Sequence, residues 1–523
     1  MGKANSIHAA VSLGSTPKSL YILLSNYSTN SAAATITHNN KIIEAKQEKL
    51  IEPGAPVYKS IILRAPKYVR EFSSKLNRLL QKPKEIHPQA KAIEIAERRA
   101  DVAGQKKSFC INIDENGNCT QSTTAAAKKI VSDIPTQSGS KTLNIWVSDD
   151  SFDSGSGCSK SKCVTQAMVD ELAKRFLATG DDNDIYDWVT NIYEGEWGDD
   201  AHGKYPELIG ANDEISILLT DIDQDNSPNG GVIGYFWSKD NITKSNLNGS
   251  NERVMFYADA VMFANGDSGK PGWNITDPFP MEMVSTLAHE FQHMIHFYQK
   301  TILRTSSGTA TDTWIDEMLA ETTEDIVATK IRSNGPRAVS PDNGDAGDAN
   351  NKKGRYPLFN QNNTLSLTTW TTYADYAKVS AFGTFLIRNY GGAQLLHDIM
   401  HNAYTDEQAV MDAVEKSAEG SDKIFDDLLK EWGVAVLLSD HDDLADLPFY
   451  NTGDFTYSTF GNSTYAMGSI DFFNYDPQPT IHTSAGTVSA QGNYYYKVGD
   501  NLTGEITIDL QLNGTTEATL VAK

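Results

Sequence analysis

Two histidines four residues apart stand in the stretch 286–295, which reads Thr-Leu-Ala-His-Glu-Phe-Gln-His-Met-Ile. At this spacing His289 and His293 share one face of an α-helix, with Cβ atoms about 6 Å apart, so both imidazoles can reach one tetrahedral metal ion. The flanking residues are mostly apolar and no proline interrupts them, which predicts a helix buried in a core. Zinc is the metal that this spacing favours.

Glu290 directly follows the first histidine of the motif. Its carboxylate can therefore reach a water molecule beside the metal rather than the metal itself, and it can act as a general base toward that water. Two histidines packed in a protein core are the alternative interpretation. The motif and its apolar flanks favour a zinc hydrolase over that alternative.

A catalytic zinc site has three protein ligands and one open position, so a third ligand must come from elsewhere in the chain. Asp312 ends the run Gly-Thr-Ala-Thr-Asp, which resembles an element of the aspartate-type zincins but lacks the Tyr-Gly that follows there. Glu317 lies on a second predicted helix, and Glu321 lies one turn further on the same face. We favour Glu317 as the ligand and Glu321 as the carboxylate that holds a ligand imidazole. An acidic first turn of a solvated helix is the alternative.

Amide hydrolysis builds negative charge on the carbonyl oxygen, and a Tyr, His or Arg donor usually helps to stabilise it. Tyr376 begins a predicted helix downstream of Glu317 and is our candidate for this catalytic donor. Tyr373 and His296 are rival candidates. A tyrosine packed at the edge of the core is the alternative interpretation of Tyr376.

Three aspartates alternate before a glycine-rich turn in Asp-Ile-Asp-Gln-Asp-Asn-Ser-Pro-Asn-Gly-Gly. Asp221, Asp223 and Asp225 together suit a hard cation such as calcium, which prefers oxygen ligands. The glutamate that closes an EF-hand loop is missing. A calcium site and a plain polar turn therefore both remain open here.

The 523 residues are enough for two to four domains, and we expect a multidomain α+β protein. Short β-type runs such as Leu20–Leu24 and Ser60–Leu63 predict a small β-sandwich at the N-terminus, and a helical run spans Glu85–Ala103. Strands at Glu214–Leu219 and Val254–Tyr257 and helices after 317 predict a catalytic domain with a mixed sheet and a helical C-terminal lobe. The expected divisions are a β-sandwich-like region at 1–65, a charged linker and candidate pro-region at 66–140, the catalytic domain at 141–445 and a C-terminal β domain at 446–523.

The four cysteines form two local pairs, Cys110 with Cys119 and Cys158 with Cys163. Such pairs favour two short disulfides and an oxidising compartment over free thiols. The net charge of −23 argues against nucleic acid or an anionic membrane as partner, since both repel an acidic surface. No apolar run is long enough to span a bilayer.

The region of about 205–400 resembles the hyicolysin family of bacterial secreted metallopeptidases. The similarity rests on the motif helix and on elements around it, which are Ile217–Ile222, Gly230–Phe236, Phe256–Asp259, Trp314–Glu317 and Tyr376–Gly391. It implies a glutamate-type zincin that cleaves peptide bonds in proteins outside the cell, with an association with the cell surface as a further option. By matching positions, it implies His289, His293 and Glu317 as zinc ligands and Glu290 as the catalytic residue.

The sequence thus predicts a secreted zinc endopeptidase acting on protein or peptide substrates. We expect an extended substrate to bind along an edge strand around Val254–Phe263. The alternative is a weakly active or inactive adhesin that holds a matrix protein through the β-rich termini. The intact Glu290 argues against that alternative.

Overall fold

The structure is a computed structural model, and it describes residues 5–38, the six positions 65, 66, 69, 72, 76 and 80, and residues 100–523 except 156, 181, 182, 212, 306, 307 and 445. The strand predicted at Ser60–Leu63 and most of the helical run predicted at Glu85–Ala103 lie outside the described residues. Residues 100–103 are described and are not helical.

The strands of the described residues form three larger sheets and one hairpin. In chain order they are β1 Asn5–Ser12, β2 Lys18–Asn26, β3 Ala32–His38, β4 Lys106–Ile113, β5 Cys119–Thr136, β6 Gly139–Ser148, β7 Glu214–Thr220, β8 Gly234–Phe236, β9 Val254–Asp259, β10 Thr456–Phe460, β11 Ser463–Met467, β12 Thr487–Val488, β13 Gly492–Leu502, β14 Glu505–Leu512 and β15 Thr516–Ala522.

Within residues 100–523, the described helices lie mainly between β9 and β10. In chain order they are α1 Gln166–Phe176, α2 Ile185–Tyr193, α3 Asp200–Lys204, α4 Ala260–Phe263, α5 Pro278–His296, α6 Thr313–Ile326, α7 Ala328–Ile331, α8 Tyr356–Asn362, α9 Ala374–Asn389, α10 Ala393–His401, α11 Glu407–Val414 and α12 Phe425–Leu437. A π-helical segment, Phe297–Arg304, continues α5. The mixed sheet and the helical lobe predicted for the central region are both present.

A six-stranded sheet with the order β4-β5-β6-β7-β9-β8 supports the motif helix. The neighbours β6, β7 and β9 are parallel, and the other pairs are antiparallel. Strand β9 is buried along its length, as expected for an apolar strand with both faces covered. The prediction that the edge strand lies around Val254–Phe263 is therefore wrong, because β9 is an inner strand and residues 260–263 form α4. The edge is β8.

Strands from the two ends of the chain pair with each other. Strands β1 and β3 flank β14 in one sheet, and β2 lies between β13 and β15 in the other. The apolar residues of both sheets share one core, which includes Leu20, Ile22, Tyr496 and Ile508. The expectation of separate N- and C-terminal β domains is therefore corrected, because the two termini build a single two-sheet sandwich. The boundaries at 65, 140 and 445 stay predictions.

The outer face of the sandwich packs on α12. Gly433 permits this close approach, since a Cβ atom there would lie 2.7 Å from the Leu23 side chain. Asn493 donates a hydrogen bond to the backbone oxygen of Leu429 across the same interface. The side chains of Leu23 and Tyr495 consequently belong to the main core rather than to the core of the sandwich.

Both predicted disulfides are present, joining Cys110 to Cys119 and Cys158 to Cys163. The first closes the turn between β4 and β5. The second closes a loop that precedes α1. Within the described ranges, no helix combines the length and the apolar character that crossing a bilayer requires.

Candidate metal centre

The motif helix α5 is held between the sheet and the helical lobe. It begins after Asp277 with prolines in its first turn, where the missing N–H is not needed. Phe291 anchors its middle, with ring centroids 5.2 Å from Phe176 and 5.3 Å from Tyr186. Because Phe291 points into the core, the histidines on another face of the helix turn toward α6.

His289, His293 and Glu317 meet at one point, and we call these three residues the motif cluster. The two Nε2 atoms are 3.1 Å apart, and Glu317 Oε2 lies 3.4 Å from His289 Nε2 and 3.3 Å from His293 Nε2. Ligand atoms of a tetrahedral zinc ion with bonds near 2.0–2.1 Å are about 3.3 Å apart. Glu317 Oε2 is buried and accepts no hydrogen bond from any residue that the structure describes. The donor set and its separations thus fit a zinc ion.

Carboxylates on α6 hold both imidazoles from behind. The Nδ1 atom of His289 lies 2.9 Å from Glu324 Oε1, and that of His293 lies 2.9 Å from Asp316 Oδ1. A ring N–H that donates to a carboxylate fixes the tautomer, so the Nε2 lone pair faces the metal position. The sequence assigned this role to Glu321, whose nearest oxygen is 4.0 Å from His289 Nδ1. Glu324 takes that place instead.

Glu321 is engaged by Arg355, which lies just before α8. The guanidinium donates from Nε to Glu321 Oε2 at 2.7 Å, and its Nη2 lies 2.7 Å from Oε1. The same Nη2 is 3.8 Å from Glu324. Removing one partner from such a buried charge pair is strongly destabilising, because an uncompensated charge is left behind. Arg355 therefore compensates the carboxylates that support His289.

The electrostatics of the motif cluster favour a bound cation. Burial lowers the pKa of His289, but its contacts with the carboxylates of Glu317 and Glu324 raise it to about 10. Burial raises the pKa of Glu317, but the charge of His293 and the close contacts with both imidazoles lower it to about 2. The surrounding carboxylates thus stabilise positive charge at this position. A divalent cation provides that charge while leaving the imidazoles neutral.

Glu290 is buried beside the motif cluster. Its Oε2 accepts a hydrogen bond of 2.8 Å from the backbone N–H of Phe236, the last residue of β8. Burial raises the pKa of Glu290, while the charges of His289 and His293 lower it. The carboxylate is therefore held at the junction of the edge strand and the histidine pair. No sequence motif indicates that the backbone N–H of Phe236 donates to Glu290.

Tyr376 is buried and donates a hydrogen bond to Glu317 Oε1 at 3.3 Å. Its ring packs edge-on against Trp370 at 5.0 Å. The rival Tyr373 is 41% exposed, and the rival His296 is buried behind the cluster with Nδ1 2.9 Å from Asp316. Of the three candidates, Tyr376 is the one that touches the motif cluster.

Two other predicted sites are not assembled. Asp312 is exposed, directly precedes α6 and is not among the residues that the structure brings together as a metal-ligand group. Asp221 is buried and lies 2.7 Å from Lys160 Nζ, so a lysine already neutralises it. Asp223, Asp221 and Asp225 form no ligand group within the described residues. The structure gives the calcium expectation no support.

Comparison with known proteins agrees with the resemblance stated from the sequence. The neutral metalloprotease ShpI of Staphylococcus hyicus is 26% identical over 191 residues, which is 36% of this chain and 35% of that protein. The matched part thus spans about a third of the relative's length. A crystal structure of a two-domain M1 zinc metallopeptidase bound to L-arginine overlaps 58% of this chain and 51% of its own at 9% identity. Its TM-score of 0.30 is too low to support an argument. The model of the peptidase M30 family matches residues 121–497, and the chain belongs to that family.

Proposed function

We propose that this protein is a zinc-dependent endopeptidase that hydrolyses peptide bonds in proteins, with His289, His293 and Glu317 as zinc ligands and Glu290 as general base. The observation that carries the proposal is the 3.1–3.4 Å triangle of ligand atoms, with a buried carboxylate beside it. Membership of the M30 peptidase family supports the same reaction class. Zinc at this position supplies a Lewis acid that polarises the scissile carbonyl and makes a water molecule more acidic.

Glu290 handles the protons of the reaction. Its carboxylate accepts a proton from the attacking water while the new carbon–oxygen bond forms. It then passes this proton to the amide nitrogen as the carbon–nitrogen bond breaks, so the products are a carboxylic acid and an amine, which become a carboxylate and an ammonium group by proton exchange. The hydrogen bond from the Phe236 N–H fixes one carboxylate oxygen and leaves the other for this exchange.

Edge strand β8 is the proposed substrate-binding element. It ends the six-stranded sheet, and its Phe236 touches Glu290. An extended peptide can add to such an edge through main-chain hydrogen bonds, which suits many sequences because the backbone is common to all of them. This replaces the earlier expectation at Val254–Phe263 and brings the scissile bond next to the general base.

Tyr376 is the proposed donor to the carbonyl oxygen as negative charge develops on it. Its hydroxyl is within hydrogen-bonding distance of Glu317, a proposed zinc ligand, so it lies close to the reacting group.

We propose that the protein is secreted, because disulfides such as its two local ones form and persist in an oxidising compartment.

The test is Glu290→Gln in the full chain, with casein cleavage and bound zinc measured together. We expect kcat/KM to fall about 10²–10⁴-fold, the usual contribution of a general base, with zinc content unchanged. Glu407→Gln, the same change at an exposed glutamate in the first turn of α11, is the control and should leave both unchanged. Full activity of Glu290→Gln would refute Glu290 as the general base, whereas a wild-type protein that does not cleave casein would favour the adhesin alternative.

A further inference from the structure

A second pair of histidines one helical turn apart lies on α10, away from the motif. His397 and His401 approach Glu194, the residue that ends α2. Their ligand atoms and one carboxylate oxygen lie within 4.8 Å of one another, and His401 Nε2 is 3.3 Å from Glu194 Oε2. We call these three residues the surface cluster, because Glu194 is exposed and both histidines are partly exposed.

Both imidazoles of the surface cluster have Nδ1 engaged. His397 Nδ1 lies 3.1 Å from Asp398 Oδ1, and His401 Nδ1 lies 2.7 Å from the backbone oxygen of His397. A donating Nδ1 leaves Nε2 as the atom with a free lone pair, which is the usual form of a metal-binding histidine. The Phe460 ring, 5.2 Å away, packs against His397 and limits its rotation.

His401 Nε2 is buried and has no hydrogen-bond partner among the described residues. Glu194 is near, but the geometry of the contact does not make a hydrogen bond, and a neutral Nε2 lone pair repels a carboxylate. Two acceptors that face each other at 3.3 Å are better explained as ligands of one cation. Buried polar atoms without partners are rare enough to need such an explanation.

The backbone of Glu194 supports the same conclusion. Its φ of 67° lies in the left-handed region, which is unfavourable for residues other than glycine. This conformation ends α2 and directs the carboxylate toward α10. A strained residue that carries a charged side chain at a histidine pair is consistent with a binding role.

Arg304 is the cation already near this carboxylate, with Nη2 4.0 Å from Glu194 Oε2. Its hydrogen bonds go elsewhere: Nη1 donates to the backbone and side-chain oxygens of Gln299, and Nε donates to the backbone oxygen of His401. Arg304 therefore weakens cation binding by repulsion but does not block Glu194. We expect the surface cluster to bind a metal ion more weakly than the motif cluster does.

We propose that Glu194, His397 and His401 bind a second divalent metal ion, namely zinc, which accepts two imidazoles and a carboxylate. His401 Nε2 and Glu194 Oε2 already lie 3.3 Å apart, which is the separation of two ligand atoms in a tetrahedral zinc site. The ion links the end of α2 to α10, and α2 also packs on the motif helix α5. This second ion is structural, because Asp398, the acid next to His397, is used in holding that ring. The inference is independent of the proposed peptidase activity.

The test measures zinc per chain by equilibrium dialysis at increasing zinc concentrations, followed by elemental analysis. The Glu290→Gln full chain is the parent protein, so that self-cleavage does not disturb the measurement. We expect two zinc ions per chain in the parent and one in the His397→Ala/His401→Ala variant. The control variant, His202→Ala/His441→Ala, removes one exposed and one partly exposed histidine that belong to no ligand group among the described residues, and it should keep both ions.

Glu194→Gln guards against a double variant that fails to fold, because it keeps the size of an exposed side chain. It should weaken only the second binding step, by about tenfold or more. Equal zinc binding by the parent and by both surface-cluster variants would overturn the proposal. So would a parent that binds one zinc ion at every concentration below precipitation.

Discussion

The motif cluster and the surface cluster share the spacing of two histidines on one helical turn, yet their surroundings differ. In the motif cluster, a separate helix supplies Glu317, the proposed third ligand, and the carboxylates of Glu324 and Asp316 that hold each Nδ1. In the surface cluster, the oxygens that hold Nδ1 come from α10 itself. The histidines of the motif cluster are thus held by side chains of a second helix, whereas the histidines of the surface cluster are held by oxygens of their own helix.

The residue after the first histidine shows what this difference means. Glu290 extends to the backbone of β8 and is held beside the motif cluster by the Phe236 N–H. Asp398, one methylene shorter, turns back to bind the ring of its neighbour His397. Both pairs of histidines thus have the spacing of metal ligands, but only in the motif cluster does the edge strand hold a carboxylate beside the pair, as the proposed general base requires.

The sharpest test of this comparison replaces one histidine of each pair. We expect His293→Ala to lose zinc from the motif cluster and to reduce casein cleavage to the background of the assay, because a ligand and its charge balance are lost together. His401→Ala should keep cleavage close to that of the wild type. Zinc content and initial cleavage rates measured on the same samples check both. Normal cleavage by His293→Ala would mean that the reaction does not depend on this cluster.

The next largest effect is expected for Tyr376→Phe, which removes one hydroxyl beside Glu317. If this hydroxyl stabilises the developing oxyanion, kcat falls about 10²–10³-fold, as for the loss of other oxyanion donors. Zinc content and KM should change little, since the ring and its packing on Trp370 remain. Tyr373→Phe, the same change at an exposed neighbour, is the control. Unchanged kcat in Tyr376→Phe would leave that residue with a packing role alone.

Much of the motif cluster was predictable, because local spacing determines it. The helix that carries His289 and His293, and the second helix with Glu317, both follow from periodicity over a few turns. Glu324 was missed because Glu321 and Glu324 lie on the same face of α6. The choice between them depends on Arg355, which binds Glu321 and comes from a distant part of the chain.

The fold shows the same limit. The buried strands β7 and β9 and the two disulfides follow from short runs of sequence, and all are present. Whether β9 is an edge depends on β8, a strand of three residues with no clear pattern of its own. The pairing of β2 with β15 joins residues almost 500 positions apart, and no local signal records such a partner.

A smaller effect is expected where a supporting carboxylate is neutralised. Glu324→Gln keeps the shape of the side chain but removes the negative charge that polarises His289, so zinc affinity should fall about 10–100-fold. Asp398→Asn makes the same change at the surface cluster and should affect only the weaker binding step. Competition with a chelator measures both affinities. If Glu324→Gln left the zinc affinity of the motif cluster unchanged, the Glu324 carboxylate would only balance the charge of Arg355 and would not support His289.

The smallest expected effect is on the midpoint of thermal unfolding. The two clusters should differ in the zinc concentration at which they raise it. An ion that binds only the folded state stabilises it by about 2.7 kcal/mol at one hundred times its Kd but by only about 0.4 kcal/mol at its Kd. Micromolar zinc that saturates the motif cluster should therefore raise the midpoint of thermal unfolding clearly, and a chelator should reverse the rise. Further zinc should add a small second rise in the wild type that is absent from His397→Ala/His401→Ala. A second rise of equal size in that variant would assign it to nonspecific binding and remove the structural role proposed for the surface cluster.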